Sequence, residues 1–124
     1  IPLRLVGSEM CIRDRFNIDM DVYLEILENV VGNAMRYATS SVKLEIWDEK
    51  GWLHFMVSDD GPGFTSEELT KATKPYFHGK STGDCHYGMG LYICDLLCKK
   101  HGGCLSLFNQ TGSGACVRVK LHIE

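Results

Sequence analysis

The most constraining feature of the sequence is a regular alternation of apolar and polar side chains in short segments. In the last segment every second residue is apolar: Val117, Val119, Leu121 and Ile123. Residues 42–47 and 52–57 show the same period on either side of a turn at Asp48–Gly51. Successive side chains of a β-strand point to opposite faces, so this period indicates strands with one face on a core. The pattern predicts two β-hairpins, the second formed by Cys104–Phe108 and Ala115–Ile123.

Other segments follow the helical period. After Asp19, a suitable N-cap, apolar residues recur at spacings of three and four: Met20, Leu24, Leu27, Val31, Ala34 and Ala38. A short helix begins at Ser66, which we interpret as its cap. A further helix runs from Gly90 to a stop at Gly102-Gly103, and the residues predicted to face inward are Ile93, Leu96 and Leu97. The order of elements predicts an α/β two-layer sandwich, with helices on one face of a mixed, largely antiparallel sheet.

The size and composition suit one such domain. The 124 residues are 44% hydrophobic and 23% charged, which excludes a disordered chain. A net charge of −3 gives no basic excess for nucleic acid or an acidic membrane. The longest apolar run, Leu91–Cys94, is too short for a membrane span, and no secretion signal is visible. Six cysteines without a C-x-x-C pair are typical of reduced thiols, so we expect a cytoplasmic domain. We also expect this domain to be monomeric when it is isolated.

The N-terminal segment is the least informative part of the chain. Ile1–Val6 has the composition of a weak strand, whereas Gly7–Arg15 shows neither a strand nor a helix period. We therefore divide the chain into a poorly defined segment, residues 1–15, and a domain, residues 16–124. Whether the first segment is native sequence is left open.

The first helix carries four polar residues on one arc: Asn29, Asn33, Arg36 and Tyr37. Magnesium keeps several waters and takes few protein oxygens, so two amide carbonyls suit a magnesium ion whose remaining ligands are phosphates. The alternative is a solvated polar face. Asparagine and Gly32 are both unfavourable inside a helix, which favours a functional reason for them.

Two glycine-containing segments add to this arc. Asp59-Asp60-Gly61-Pro62-Gly63 directly follows a strand, where a carboxylate can accept from an exocyclic amine and glycines allow close approach of a flat ring. Gly88-Met89-Gly90-Leu91 opens a helix, whose free amides suit a polyphosphate. Taken singly, the first segment is more readily interpreted as a plain turn and the second as a helix cap.

In this order, the three features resemble the nucleotide-binding boxes of the sensor histidine kinase catalytic domain. That domain belongs to a superfamily with gyrase, the heat-shock chaperone ATPases and the mismatch-repair ATPases. Lys74–Phe77 resembles the family's phenylalanine box, His101-Gly102-Gly103 its H-G-G motif, and Gly112–Val117 the start of its closing strand. The resemblance covers about Asp19 to Glu124 and implies a Bergerat-type fold that binds ATP and Mg²⁺ beneath a mobile lid, residues 76–87.

The resemblance also implies roles for individual residues. Asn33 would be the magnesium ligand, assisted by Asn29, and Asp59 would hold the adenine amine. The full set of implied cofactor-binding residues is Asn29, Asn33, Arg36, Tyr37, Asp59, Gly61, Gly63, Lys80, Gly88, Gly90 and Leu91. In the lid, where the family commonly has Arg, this chain has His78, so Lys80 is the weaker candidate for a phosphate contact. Cys116 takes the place of the family's small hydroxyl residue facing the adenine pocket.

The resemblance favours a kinase over an ATPase. The ATPase branches carry a general-base Glu one turn before the magnesium Asn, and here that position is Asn29. In the kinases the nucleophile is a histidine followed by Glu or Asp on a separate dimerisation domain, and none of the five histidines here has that context. The implied function is the ATP-holding half of a two-component histidine kinase, cytoplasmic in a membrane-anchored parent, with an indirect partner in a response regulator. An ATP-regulated binding module or anti-sigma-type serine kinase, and a chaperone-like ATPase, stay open as alternatives.

Several residues receive structural interpretations. We expect Cys94, Cys98 and Cys104 to be buried thiols rather than a soft-metal site. His54 and His122 lie on polar strand faces and are expected to be solvated.

Overall fold

In the computed structural model, the described residues are 3–7, 19–71, 87–112 and 114–122. Along these residues a strand and a helix are followed by two strands, two helices and two further strands. The elements are β1 (Leu3–Gly7), α1 (Met20–Tyr37), β2 (Val42–Glu49), β3 (Trp52–Asp59), α2 (Ser66–Lys71), α3 (Tyr87–Lys100), β4 (Cys104–Asn109) and β5 (Ala115–His122). The predicted hairpins and both long helices are therefore present, and the weak N-terminal strand is β1.

The strands form one sheet in the order β1-β2-β3-β5-β4. β1 runs parallel to β2, and the other neighbours are antiparallel. In the register, Val57 of β3 pairs with Leu44 on one side and Val117 on the other, so a continuous apolar row crosses the sheet. Lys50 and Gly51 both have positive φ, which suits the two-residue turn between β2 and β3. The predicted mixed, largely antiparallel sheet is confirmed.

The helices pack on the face of the sheet that carries this apolar row. α1 contacts α3, β3 and β2, and α3 contacts β4 and β5. The Tyr23 ring meets the Phe55 ring edge-on, with centroids 5.9 Å apart. The buried core residues of the two layers are Tyr23, Ile26, Val30, Ala34, Val42, Leu44, Leu53, Phe55, Val57, Cys94, Cys98, Val117, Val119 and Leu121. This arrangement confirms the predicted two-layer sandwich.

The predicted core faces of the long helices are confirmed in part: the core contains or contacts Met20, Leu27, Val31, Ala34, Ala38 and Leu97, whereas Leu24 and Leu96 are exposed. In α1, Leu24 is 45% exposed, and the fully buried residues are Tyr23, Ile26, Val30 and Ala34. In α3, Leu96 is 48% exposed, and the buried residues are Leu91, Cys94 and Cys98. Apolar residues cover a broad arc of each helix, so the period alone did not fix which side faces the sheet. For α1 the buried face is turned toward the arc that carries the asparagines.

The helix ends follow local rules. The Asp19 Oδ1 accepts from the backbone N–H of Asp21 and of Val22, as predicted for the α1 N-cap. Gly102, with φ of +75°, ends α3 as predicted, and the N–H of Gly103 donates to the Cys98 carbonyl at 2.7 Å.

The cap of α2 is Thr65 rather than the predicted Ser66. The Glu68 N–H donates to Thr65 Oγ1 at 3.1 Å, and the Thr65 N–H donates to Glu68 Oε1 at 2.8 Å. This reciprocal pair is a capping box, which the T-x-x-E spacing signals in the sequence.

The other face of the sheet carries an aromatic and cationic cluster. His54 is only 4% exposed, contrary to the expectation that it is solvated, because its ring stacks on Trp47 with centroids 5.1 Å apart. Burial and the charges of Arg118 and Lys120 lower the pKa of His54. His122 is exposed, as expected.

The described thiols divide into two groups. Cys94, Cys98 and Cys116 are buried and Cys104 is exposed, so the expectation of a buried thiol is wrong for Cys104. Burial raises the pKa of both Cys94 and Cys98 to about 12, so these thiols are protonated at neutral pH. No group of three His, Cys, Asp or Glu residues that could hold a metal ion occurs within the described parts of the chain.

Candidate functional site: a recess between the first helix and the strand ends

A recess lies where α1, the end of β3 and the start of β5 meet. It is open to solvent on one side, and the empty space among its lining residues amounts to about 310 Å³ only when this open solvent is counted. Its lining residues come from five parts of the chain: Asn33, Tyr37, Asp59, Gly63, Phe64, Glu68 and Ala115. Four of these, Asn33, Tyr37, Asp59 and Gly63, are sequence-predicted site residues. The fold therefore brings together predicted site residues that are up to 30 positions apart in the sequence.

Asp59 is one of two buried carboxylates that line this recess, the other being Glu68. Asp59 ends β3 on the face that carries Val57 and Phe55, so it points toward the helix layer, and it is 6% exposed. Its Oδ1 accepts from the N–H of Gly61 at 2.8 Å and from the N–H of Ala115 at 3.3 Å. No hydrogen bond to Oδ2 is found among the described residues, so this oxygen is the acceptor available to a ligand.

The glycines after Asp59 permit close packing of its loop. A β-carbon on Gly61 would lie 2.2 Å from the Tyr37 carbonyl oxygen, so the loop lies directly against the end of α1. Gly63 has φ of +84°, and a β-carbon there would lie 2.9 Å from Asn109 Oδ1. Both predicted glycines are thus required by contact, and Gly63 also by its backbone conformation.

Asn29 lies at the other end of the polar arc, beside the start of α3. Its Nδ2 donates to the Glu25 carbonyl at 2.8 Å, so the amide is oriented and Oδ1 points away from that carbonyl. A β-carbon on Gly90 would lie 3.4 Å from this Oδ1. The asparagine arc and the second glycine segment, separated by 61 positions, are therefore neighbours, as their shared predicted role requires.

The remaining predicted site residues are placed as follows. Gly88 lies in the first turn of α3, and Leu91 is 1% exposed, so only the backbone of Leu91 can face a ligand. Arg36 is exposed in the last turn of α1. Lys80, His78, the phenylalanine box and most of the proposed lid lie outside the described residues.

The residue of β5 that faces the recess is Ala115, not Cys116 as predicted. Ala115 lies on the same face as Val117 and lines the recess, whereas Cys116 lies on the opposite face. Cys116 is 1% exposed, and its burial raises the pKa of its thiol to about 11. The prediction was wrong by one position, and neighbouring residues of a strand point their side chains to opposite faces of the sheet.

Asp60 has a structural task that the sequence interpretation missed. Its Oδ1 accepts from the N–H groups of Thr39, Ser40 and Ser41 at 2.9–3.1 Å, and its Oδ2 accepts from the Ser40 hydroxyl. The Ser40 hydroxyl and these amides hold the pKa of the Asp60 carboxyl well below its usual range. These contacts span 19 to 21 positions, so no local pattern in the sequence signals them.

The sequence interpretation also missed the contacts that Asn109 and Gln110 make with the loop after Asp59. Asn109 hydrogen-bonds Phe64 through both atoms of its amide, and the Gln110 Nε2 donates to the Asp59 carbonyl at 3.1 Å. These contacts hold the loop that follows Asp59 against the last hairpin. They span 45 to 51 positions, so no local pattern in the sequence could reveal them.

The sequence profile of the family described as "Histidine kinase-, DNA gyrase B-, and HSP90-like ATPase" matches residues 19–124. The chain belongs to this family. Among curated proteins, this histidine kinase-like domain is 35% identical over 103 residues to the C4-dicarboxylate transport sensor protein DctB of Pseudomonas aeruginosa. The match covers 78% of this chain and 16% of DctB. The adaptive-response sensory kinase SasA of Prochlorococcus marinus is 29% identical over 100 residues, covering 74% of this chain and 26% of SasA.

Solved structures agree on the fold of this histidine kinase-like domain. The catalytic domain of histidine kinase ThkA superposes with a TM-score of 0.83 at 22% identity, covering 98% of this chain and 78% of that one. The mycobacterial sensor histidine kinase MprB superposes with a TM-score of 0.81 at 18% identity, covering 98% and 83%. The chain thus has the fold of histidine kinase catalytic domains. It spans about a sixth to a quarter of the length of DctB and SasA.

No helix in the described part of the chain is both long and apolar enough to cross a bilayer.

Proposed function

We propose that this domain, residues 16–124, binds ATP with Mg²⁺ and donates the γ-phosphoryl group to a histidine on a separate dimerisation domain. The observation that carries the proposal is the recess in which Asp59 presents a buried carboxylate beside Asn33 and Tyr37. The match to a family of ATPases supports a nucleotide as the ligand. One similar structure, full-length ShkA with a TM-score of 0.79, is a complex with the ATP analogue AMPPNP.

Adenine recognition is assigned to the recess. Asp59 Oδ2 accepts a hydrogen bond from the exocyclic amine of adenine, while Oδ1 stays fixed by two backbone amides. Tyr37 flanks the ring, and Gly61 and Gly63 shape the wall that the ring approaches. Guanine carries a carbonyl oxygen where adenine carries the amine, and this oxygen would face a carboxylate. The arrangement therefore favours ATP over GTP.

The phosphates are assigned to the space between α1 and the start of α3. The first turn of α3 has free backbone N–H groups, and Gly88 and Gly90 put no side chain in front of them. Arg36 and the lid residue Lys80 are the proposed cationic contacts. The backbone of Leu91 completes this segment.

The residues present fit a magnesium ion. Asn33 is the proposed ligand and Asn29, whose Oδ1 is directed away from its own helix backbone, assists. Neutral amide oxygens are sufficient because the phosphates of the nucleotide supply negative charge. When bound, the ion neutralises charge that develops on the phosphate oxygens.

Phosphoryl transfer rather than hydrolysis is the proposed reaction. Asn29 cannot take a proton from water, and Glu25 and Glu28 of the same helix are exposed to solvent. The acceptor's imidazole nitrogen forms a bond to the γ-phosphorus as the bond to the ADP oxygen breaks. None of the histidines in this chain is followed by Glu or Asp, so the acceptor is supplied by another domain of a cytoplasmic signalling kinase that passes the phosphoryl group to a response regulator.

Isothermal titration tests the nucleotide site. The wild-type chain is titrated with ATP in the presence and absence of Mg²⁺, in parallel with Asn33→Ala and with Ser106→Ala as an exposed control. We expect the wild type and control to bind more tightly with Mg²⁺, and Asn33→Ala to lose this dependence. Equal magnesium-dependent affinity in all three would remove Asn33 from the site, and no binding of ATP by the wild type would refute the proposed function.

A further inference from the structure

The last residue of β4, Asn109, reaches the wall of the recess through its side chain. The N–H of Phe64 donates to Asn109 Oδ1 at 2.7 Å, and Asn109 Nδ2 donates to the Phe64 carbonyl at 2.9 Å. One side chain thus makes with Phe64 the pair of hydrogen bonds that two strand residues exchange in a ladder. Phe64 and the preceding Gly63 both line the recess.

The amide also lies directly against the wall. A β-carbon on Gly63 would lie 2.9 Å from Asn109 Oδ1 and 3.3 Å from Asn109 Cγ. The same hairpin holds the other end of the loop, because Gln110 donates to the Asp59 carbonyl and a β-carbon on Gly114 would lie 1.9 Å from that carbonyl oxygen. The segment from Asp59 to Phe64 is therefore held at both ends by one turn.

Only a carboxamide can make both bonds to Phe64. The side chain must accept from an N–H and donate to a carbonyl at the same time, and among side chains of this size only asparagine does so. An aspartate would place an oxygen against the Phe64 carbonyl, and leucine, of similar shape, would make neither bond. Asn109 is exposed, so burial in the core does not account for its presence.

We propose that Asn109 is a positioning residue for base recognition. Its amide holds Gly63 and Phe64 in the place where they form the wall of the base recess, and so sets the affinity for the adenine ring. Asn29, proposed to assist the magnesium ion, and Gly90, proposed to border the phosphates, belong to α1 and α3, and Asn109 does not join these helices to the wall. The inference rests on the proposed function and predicts that base binding and phosphate binding respond differently to changes at Asn109.

The test compares two ligands and two variants. Wild type, Asn109→Leu and Asn109→Asp are titrated with ATP and with inorganic tripolyphosphate, both with Mg²⁺. Ser106→Asp, which adds a carboxylate at an exposed position of the same strand, controls for charge. We expect the affinity of both Asn109 variants for ATP to fall about tenfold, as for the loss of one or two hydrogen bonds. Tripolyphosphate should bind to Asn109→Leu as it does to the wild type, and to Asn109→Asp as it does to Ser106→Asp. Thermal unfolding of each variant reports its folding separately.

If Asn109 had a purely structural role, its replacement would lower the affinities for ATP and for tripolyphosphate by the same factor, because a destabilised fold affects the whole site. The inference is overturned if the folded variants bind ATP as the wild type does, or if they lose ATP and tripolyphosphate by the same factor. A wild-type chain that binds tripolyphosphate but does not prefer ATP overturns the proposed base recess itself. That result is read from the wild type alone and is distinguishable from a failure at Asn109.

Discussion

Replacing Asp59 by Asn turns the ligand-facing acceptor of the recess into a donor and leaves the two backbone hydrogen bonds to Oδ1 intact. Asp59 Oδ1 accepts from the N–H groups of Gly61 and Ala115, and the amide oxygen of Asn can accept from both. The amide nitrogen then takes the place of Oδ2 and presents a donor to the ligand. We expect the free energy of unfolding to change by less than about 1 kcal/mol, because each backbone donor keeps a partner.

The effect on nucleotide binding is much larger. A hydrogen bond to a charged group contributes roughly 1.5–3 kcal/mol, so Asp59→Asn should weaken ATP binding by a factor of about 10 to 150. Inosine triphosphate carries a carbonyl oxygen at the position of the adenine amine, and this oxygen accepts from the new amide. The preference for ATP over inosine triphosphate should therefore shrink or reverse in the variant.

Calorimetric titration of both nucleotides into the wild type and Asp59→Asn measures this change. Asp48→Asn is the matched control, since it removes the same charge from an exposed position next to the β2–β3 turn. The reasoning is refuted if Asp59→Asn binds ATP as the wild type does while remaining folded. It is also refuted if the wild type does not distinguish ATP from inosine triphosphate.

Three further predictions concern the fold around the site. Gly114→Ala should destabilise the chain by at least about 2 kcal/mol in urea unfolding, whereas Gly112→Ala, also at positive φ but with open space around it, should cost about half as much. Equal losses of stability in the two variants would exclude the contact of residue 114 with the Asp59 carbonyl as the cause of the destabilisation. Asp60→Asn should lower stability at pH 7, and the difference from the wild type should shrink as the pH falls below the ordinary carboxyl pKa of 3.8, because the native carboxylate is the form that accepts the loop amides. A difference that is the same in urea unfolding at pH 7 and pH 3 would contradict this. In alkylation followed by peptide mapping at pH 8, Cys104 should react in the folded chain while the two α3 thiols, with pKa values of about 12, should not. Equal labelling of all three thiols would refute the burial of Cys94 and Cys98.

The sequence predicts most of the fold because its local signals agree with its long-range pairing. The alternation around Val57 and Val117 identifies the hairpins, and local caps at Asp19 and Gly102 set the helix ends. The orientation of each helix about its own axis was not predictable in the same way. Leu24 and Leu96 fit the helical period but are exposed, because the sheet selects one part of a broad apolar arc.

The residues of the candidate site were predictable where a local pattern in the sequence marks them. Asp59, Asn33 and Gly61 stand in recognisable local patterns, and the fold brings Asp59 and Asn33 into one recess. Asn109 and Asp60 act by holding backbone atoms that are distant in the sequence, and such contacts depend on the pairing of whole elements. The error at Cys116 has a related origin, since a shift of one residue in a strand exchanges the two faces of the sheet.

Phosphoryl transfer in a reconstituted system is the most direct test of the central claim. The chain is incubated with γ-labelled ATP and Mg²⁺, alone and with the phosphoacceptor domain of the proposed parent kinase, in wild-type form and as Asn33→Ala. We predict an acid-labile phosphohistidine that forms only with the acceptor domain present and is lost in Asn33→Ala, and negligible ATP turnover by the chain alone. Steady hydrolysis by the chain alone at several turnovers per second, abolished by Asn33→Ala and with no label on the acceptor, would contradict the kinase assignment and favour an ATPase.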